Sequence, residues 1–269
     1  MNSRFLLLSA GALVAASSVQ AQLLNESFNY ANGALETVSS GAWTIHSGTT
    51  ALNIDGGKAL INQGDSTSGL ADLNAPFAGA VTYDPTTSSD SLYYGLTVNF
   101  SSLPNSTGSY FAHFKSSTTA NEFYGRLGAS TEGAGAGSFR LAISSEGWSA
   151  ATTTESPADL SLDTDYRVVV KYDMSTDRAT MWVNPVNEGS TSVVSTDAPG
   201  YAAGSLIGQF ALRQGTSGSP AGFPGILTID DVLVGTSFAA VATPVPEPEE
   251  WAAIAGAGLI GFALWRRRR

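Results

Sequence analysis

Between Ala21 and Pro246 no stretch of the chain keeps an apolar period of 3.6 residues, while several stretches keep a period of two. Successive side chains on a strand point to opposite faces, so such alternation builds half-buried strands and not helices. In Tyr166-Arg167-Val168-Val169-Val170-Lys171-Tyr172, the residues Tyr166, Val168, Val170 and Tyr172 share one face, and Arg167 and Lys171 take the other. Phe139, Leu141 and Ile143 share a face in 138–143. The run 178–183 follows after the polar link Asp173-Met174-Ser175-Thr176-Asp177, which suits a hairpin loop. Further strands are expected at 92–100, 110–115, 123–127, 206–212 and 226–234, with shorter ones near 26–30, 43–46, 58–61 and 77–82. About a dozen short strands in one domain favour an all-β, two-sheet sandwich or jelly roll over a small barrel.

Composition narrows the function classes. The formal net charge is −10, and Arg4 and residues 266–269 at the two ends hold part of the basic complement. The middle of the chain is therefore more acidic still, which makes nucleic acid and anionic lipid headgroups poor partners. There is no cysteine, so stability must come from core packing, and thiol chemistry is excluded. His46 and His113 are the two histidines, too few for a site built on three.

The two ends read differently from the middle. Arg4 precedes an apolar stretch from Phe5 to Ala16, and Val19-Gln20-Ala21 has the small-x-small form of a signal-peptidase site. Residues 1–21 are expected to be a signal peptide cleaved after Ala21 by signal peptidase. At the other end Pro246-Glu247-Pro248 precedes an uncharged apolar run over 251–265, and Arg266, Arg267, Arg268 and Arg269 follow. As a helix that run spans ~22 Å, short of a ~30 Å hydrocarbon core. Interfacial Trp251 and Trp265 and snorkelling arginines can close the gap. The arginines hold their end on the cytoplasmic side, so the rest of the chain is expected outside the cytoplasm. Ala253, Ala257 and Gly261 line one smooth helix face, and the prolines keep the segment before the helix extended.

The order and residues of this tail resemble the PEP-CTERM sorting signal of bacterial exported proteins. That resemblance implies processing by an exosortase, a membrane protease-transpeptidase. It also implies inner-membrane anchoring before processing, and then the cell surface or extracellular matrix of a Gram-negative bacterium. The alternative is a permanent C-terminal anchor. The expected organisation is a signal peptide over 1–21, a β domain over 22–238 and a linker over 239–250. A transmembrane helix over 251–265 and a basic cytoplasmic end over 266–269 complete it. Within the domain, Leu24-Asn25-Glu26-Ser27-Phe28-Asn29-Tyr30-Ala31-Asn32-Gly33 resembles the opening strand of bacterial concanavalin-A-like and laminin-G-like jelly rolls. Residues 162–173 with 179–185 resemble their central hairpin, and Ile229-Asp230-Asp231-Val232-Leu233-Val234-Gly235 resembles their closing strand. In such folds the first and last strands lie side by side.

Jelly rolls of this class include glycan-cleaving enzymes and glycan binders, and the fold alone does not choose between them. A retaining glycosidase needs two carboxyl groups ~5 Å apart, and no Glu-x-Asp-x-x-Glu strand is present. Asp159, Asp163, Asp165, Asp173, Asp177 and Asp197 fall mostly in turns, where such residues satisfy backbone groups. Glu122 and Glu146 sit near expected strand ends and are an acid pair only if the fold brings them together. His113 reads as a packed strand residue. Asp230 sits inside an apolar strand, where a lone carboxylate is costly, and Glu26 lies on the neighbouring first strand. Two readings stand for the pair: a structural calcium ion held by Glu26 and Asp230, or a hydrogen-bonded edge carboxylate or one solvated outward. Trp148, in Glu146-Gly147-Trp148-Ser149, is the best exposed platform for a sugar ring. Tyr201 and Phe223 are weaker candidates, and Trp43 and Trp182 read as core. No catalytic residue is assigned. The reading is an exported, non-enzymatic surface or matrix protein that binds extracellular polysaccharide, with a glycoside hydrolase or lyase as the alternative. Two carboxylates on the concave sheet face would favour the enzyme, and small and apolar residues there the binder.

Overall fold

The computed structural model describes residues 22–62, 69–149, 151–197, 200–214 and 225–243. Helix among them amounts to one four-residue turn, α1 (Leu35–Val38), and two 3-10 turns. The rest is organised around two antiparallel sheets, consistent with a jelly-roll sandwich. The nine-stranded sheet runs in spatial order β14 (Ser192–Val194), β13 (Arg178–Val183), β12 (Asp165–Asp173), β7 (Ser91–Ser102), β16 (Ile226–Gly235), β5 (Lys58–Asn62), β4 (Asn53–Asp55), β2 (Gly33–Ala34), with β1 (Leu24–Glu26) also on β16. The seven-stranded sheet runs β11 (Thr154–Glu155), β10 (Arg140–Ser144), β9 (Phe123–Ser130), β8 (Ser109–Ser116), β15 (Ile207–Leu212), β6 (Asp72–Pro76), β3 (Thr44–Ser47). As expected, the first and last strands are neighbours, with Leu24 opposite Val234 and Glu26 opposite Val232.

The alternation seen in the sequence becomes the core. Tyr166, Val168, Val170 and Tyr172 of β12 and Leu92, Tyr94, Leu96, Val98 and Phe100 of β7 face inward. Phe111 and Phe114 of β8, Leu141 and Ile143 of β10, and Phe210 of β15 meet them from the other sheet. Tyr94 joins the layers: its ring lies 5.0 Å from Phe114 and 5.2 Å from Phe210, and its hydroxyl donates to the Gly125 carbonyl at 2.8 Å. Each such buried side chain contributes about 2–3 kcal/mol, which lets the domain hold together without disulfides.

Two expectations need correction. The segment 77–82 is not a strand. Its buried residue is Phe77, and Gly79 at φ +70 with Ala80 at φ +54 turns the chain; the strand in this region is β6. Trp182 is core, as expected, in a second apolar cluster on the outer face of the nine-stranded sheet with Tyr93, Val169, Leu233, Phe238 and Val241. The segment from 239, expected to be an exposed tether, is packed at its start. Val241 is fully buried and Phe238 lies edge-on to Trp182 at 5.3 Å. Arg167 holds this segment by donating to the carbonyls of Val241, Ala242 and Asp231. Among the described residues no helix is long and apolar enough to cross a membrane. Ala21, Pro246, Glu247, Pro248 and Arg266–269, on which export and sorting were read, lie outside the described residues.

Candidate functional site

The open face of the seven-stranded sheet carries the site. The bulged register of β8 turns Tyr110, His113 and Lys115 out of the sandwich while Phe111, Ala112 and Phe114 stay in its core. On β9, Leu127 and Ala129 enter the core, so Arg126, Gly128 and Ser130 face outward. Trp148 reaches this face from the loop after β10. It lies over Gly128, where an added Cβ would come within 2.1 Å of its ring, so only glycine admits it. The loop is tied down by Asp197, whose carboxylate accepts from the backbone N–H groups of Ser145, Glu146 and Gly147.

Three adjoining depressions form one groove. The largest of the three, about 660 Å³, is lined by Trp148, by hydroxyl side chains including Thr107, Ser130 and Thr154, and by the carboxylates Glu132 and Glu155. The next, about 310 Å³, shares Trp148 and Thr107 and adds Tyr110, Arg126 and Arg213. The third, about 240 Å³, shares Tyr110 and Arg213 and adds His46, His113, Asp72 and Phe123. Six inter-strand spacings make the sheet ~29 Å across, long enough for several sugar rings. Trp148 is half-buried and 5.7 Å from Tyr110, so its ring packs on the sheet and also lines two depressions.

The electrostatics follow from burial. Burial, then the Arg126 charge, holds His113 well below the usual imidazole range, and neither ring nitrogen has a hydrogen-bond partner. Burial lowers His46 too, with Asp72 opposing. Burial pushes the Arg126 guanidinium down, and the Lys115 ammonium likewise. Lys115 donates to the Ser116 carbonyl and to Gln209 Oε1.

No family model and no curated protein matches the chain. Among solved structures it is similar to alginate lyase Aly36B, at 15% identity over 81% of this chain and 98% of that one, with a TM-score of 0.49. It is similar to the CBM2 module of Lactobacillus casei BL23 phage J-1 evolved Dit, at 12% identity over 80% and 95% of the two chains, with a TM-score of 0.45. A mutant of the family 7 alginate lyase A1-II' in complex with substrate is similar at 12% identity over 80% and 98%, with a TM-score of 0.44.

The remaining candidates divide plainly. Glu122 and Glu146 do come within each other's field: burial, then the Glu146 charge, raises the Glu122 carboxyl. Both are engaged by one loop, with Gly200 N–H donating to Glu146 Oε2 at 3.0 Å and the Ala202 backbone bonding Glu122. Glu26 and Asp230 do not share a site. Glu26 is opposite inward-facing Val232 and accepts from Phe28 N–H, the Tyr30 hydroxyl and the Trp43 indole. Asp230 follows inward-facing Ile229, so it points out of the sandwich, where Lys58 lies 3.9 Å away. The structure does not bring the two carboxylates together, because the bulge at Asp231 puts them on opposite faces, and the inner one is filled by N–H and O–H donors. Among the described residues no group of three His, Asp or Glu could hold a metal ion. Tyr201 packs on Tyr124 and bonds the Tyr172 hydroxyl, so it is not a platform, and Phe223 lies outside the described residues. Sequence reasoning missed Tyr110, Arg126 and Arg213. Gly128, a glycine inside a strand, was the available signal for a close approach there.

Proposed function

We propose that this chain is an exported, non-enzymatic protein of the cell surface or extracellular matrix that binds polysaccharide along the groove of its seven-stranded sheet. The observation that carries the reading is the groove itself, with Trp148 and Tyr110 over a hydroxyl-lined floor. Ring stacking on such residues contributes about 1 kcal/mol each. The described chain ends against the outer face of the other sheet, at Val241 and Ala242. The runner-up reading is a glycoside hydrolase or lyase, favoured by the proximity of Glu122 and Glu146 and by the raised Glu122 carboxyl, the sign a general acid needs.

Affinity electrophoresis of the purified protein in polysaccharide-containing gels separates the two. Retardation without release of reducing ends is expected, weakened about five-fold by Trp148→Ala. Oligosaccharide release that is abolished by changing Glu122 or Glu146 would overturn the binder in favour of the enzyme.

A further inference from the structure

The middle of the groove carries charge opposite to that of the molecule. The chain has a formal net charge of −10, yet Arg126 and Arg213 stack on the same Tyr110 ring, 4.6 and 4.4 Å from its centroid. Two guanidiniums sharing one ring repel each other, and that repulsion is strong where water is largely removed. The protein offsets it only in part. Arg213 has Asp72 at 4.0 Å and donates to Ser109 Oγ at 2.8 Å. Arg126 has no salt bridge among the described residues, and its Nε is buried without a hydrogen-bond partner. Glu146 and Asp197 reach it only through their field. Fully buried His113, its ring centroid 5.3 Å from that of Tyr110, adds two unpartnered ring nitrogens beside the adjoining depression. Buried polar groups left unpaired cost about 1–3 kcal/mol each, so this cluster is built for a ligand that completes it.

We infer that the groove takes a polyuronate, with sugar carboxylates seated at Arg126 and Arg213. The inference rests on the groove being the glycan site. An arginine fork matches a carboxylate with two parallel hydrogen bonds, a geometry that a neutral ring does not reproduce. A neutral glycan would leave the Arg126 guanidinium desolvated and uncompensated, which is the stronger form of discrimination.

The test compares retardation of the purified full-length protein by polygalacturonate, by its fully methyl-esterified form and by dextran sulfate, at one fixed ionic strength. Polygalacturonate should bind at least ten-fold more tightly than the ester. Arg126→Gln and Arg213→Gln should each remove most of that preference. Trp148→Ala should weaken both. Arg126→Lys keeps the charge, guards against a folding artefact and should keep part of the preference, and a lysine variant indistinguishable from the glutamine one overturns the inference. Equal binding of acid and ester overturns it while leaving the groove as a glycan site. Dextran sulfate bound as tightly as polygalacturonate overturns the carboxylate assignment. Retardation by none of the polymers removes the groove reading as well.

Discussion

His113 is fully buried with both ring nitrogens unpartnered, and it faces Arg126, Arg213, Lys115 and His46 across the groove floor. Burial and those cationic neighbours keep it neutral in the folded state, well below its ordinary 6.5. An unfolded chain has no such constraint and takes up the proton as pH falls below that value. The unfolded state then binds more protons, so the contribution of neutral His113 is present above about 6.5 and is lost as pH falls toward the folded value. Urea midpoints should therefore drop between pH 7.5 and 5, and His113→Phe should flatten that slope. An equal slope in the variant would show that His113 does not carry it. The histidine was legible as a packed strand residue from its neighbours Phe111 and Lys115. Its missing partners were not, because they depend on which strands lie alongside. Glu26 makes the same point with the opposite result. Three donors from Phe28, Tyr30 and Trp43 satisfy a carboxylate that the sequence alone suggested for a cation.

At the scale of elements, β12 is the most legible strand and also the most connected. Its inward residues follow the alternation, but the role of outward-facing Arg167 is set by a segment about seventy residues away. Burial pushes the Arg167 guanidinium down to about 10, still charged at neutral pH, and it donates to three backbone carbonyls. Arg167→Met should cost about 2–3 kcal/mol, the size expected when charge-assisted bonds to buried carbonyls are lost. Hydrogen exchange should rise at Val241 and Ala242 while β9 stays protected. Unchanged exchange there would mean that Phe238 on Trp182 holds the segment without the arginine. Residues 239–243 were read as tether because their small side chains carry no period, and only the apolar outer face of β12, β13 and β16 explains why Val241 is covered.

For the whole molecule, the segments outside the described residues and the sandwich suggest one topology. A mature chain beginning near Gln22 should expose its domain outside the cytoplasm, with the arginine cluster inside. A C-terminal reporter active only in the cytoplasm, together with protease cleavage of the domain in spheroplasts, checks this. Protection of the domain would sink it. Strand alternation and the want of cysteine were determined by the sequence itself, because a period of two and a core without cross-links are local and compositional facts; the placing of the first beside the last strand was implied only by the resemblance to known jelly rolls. The groove was decided only by tertiary structure. Tyr110, Arg126, Trp148 and Arg213 come from three strands or their flanks and one loop, and no local pattern marks them as neighbours. The same holds for Glu26 and Asp230, adjacent by strand pairing yet separated by the sheet. Which face a side chain takes after the bulge at Asp231 is a property of the folded ladder and not of the residue.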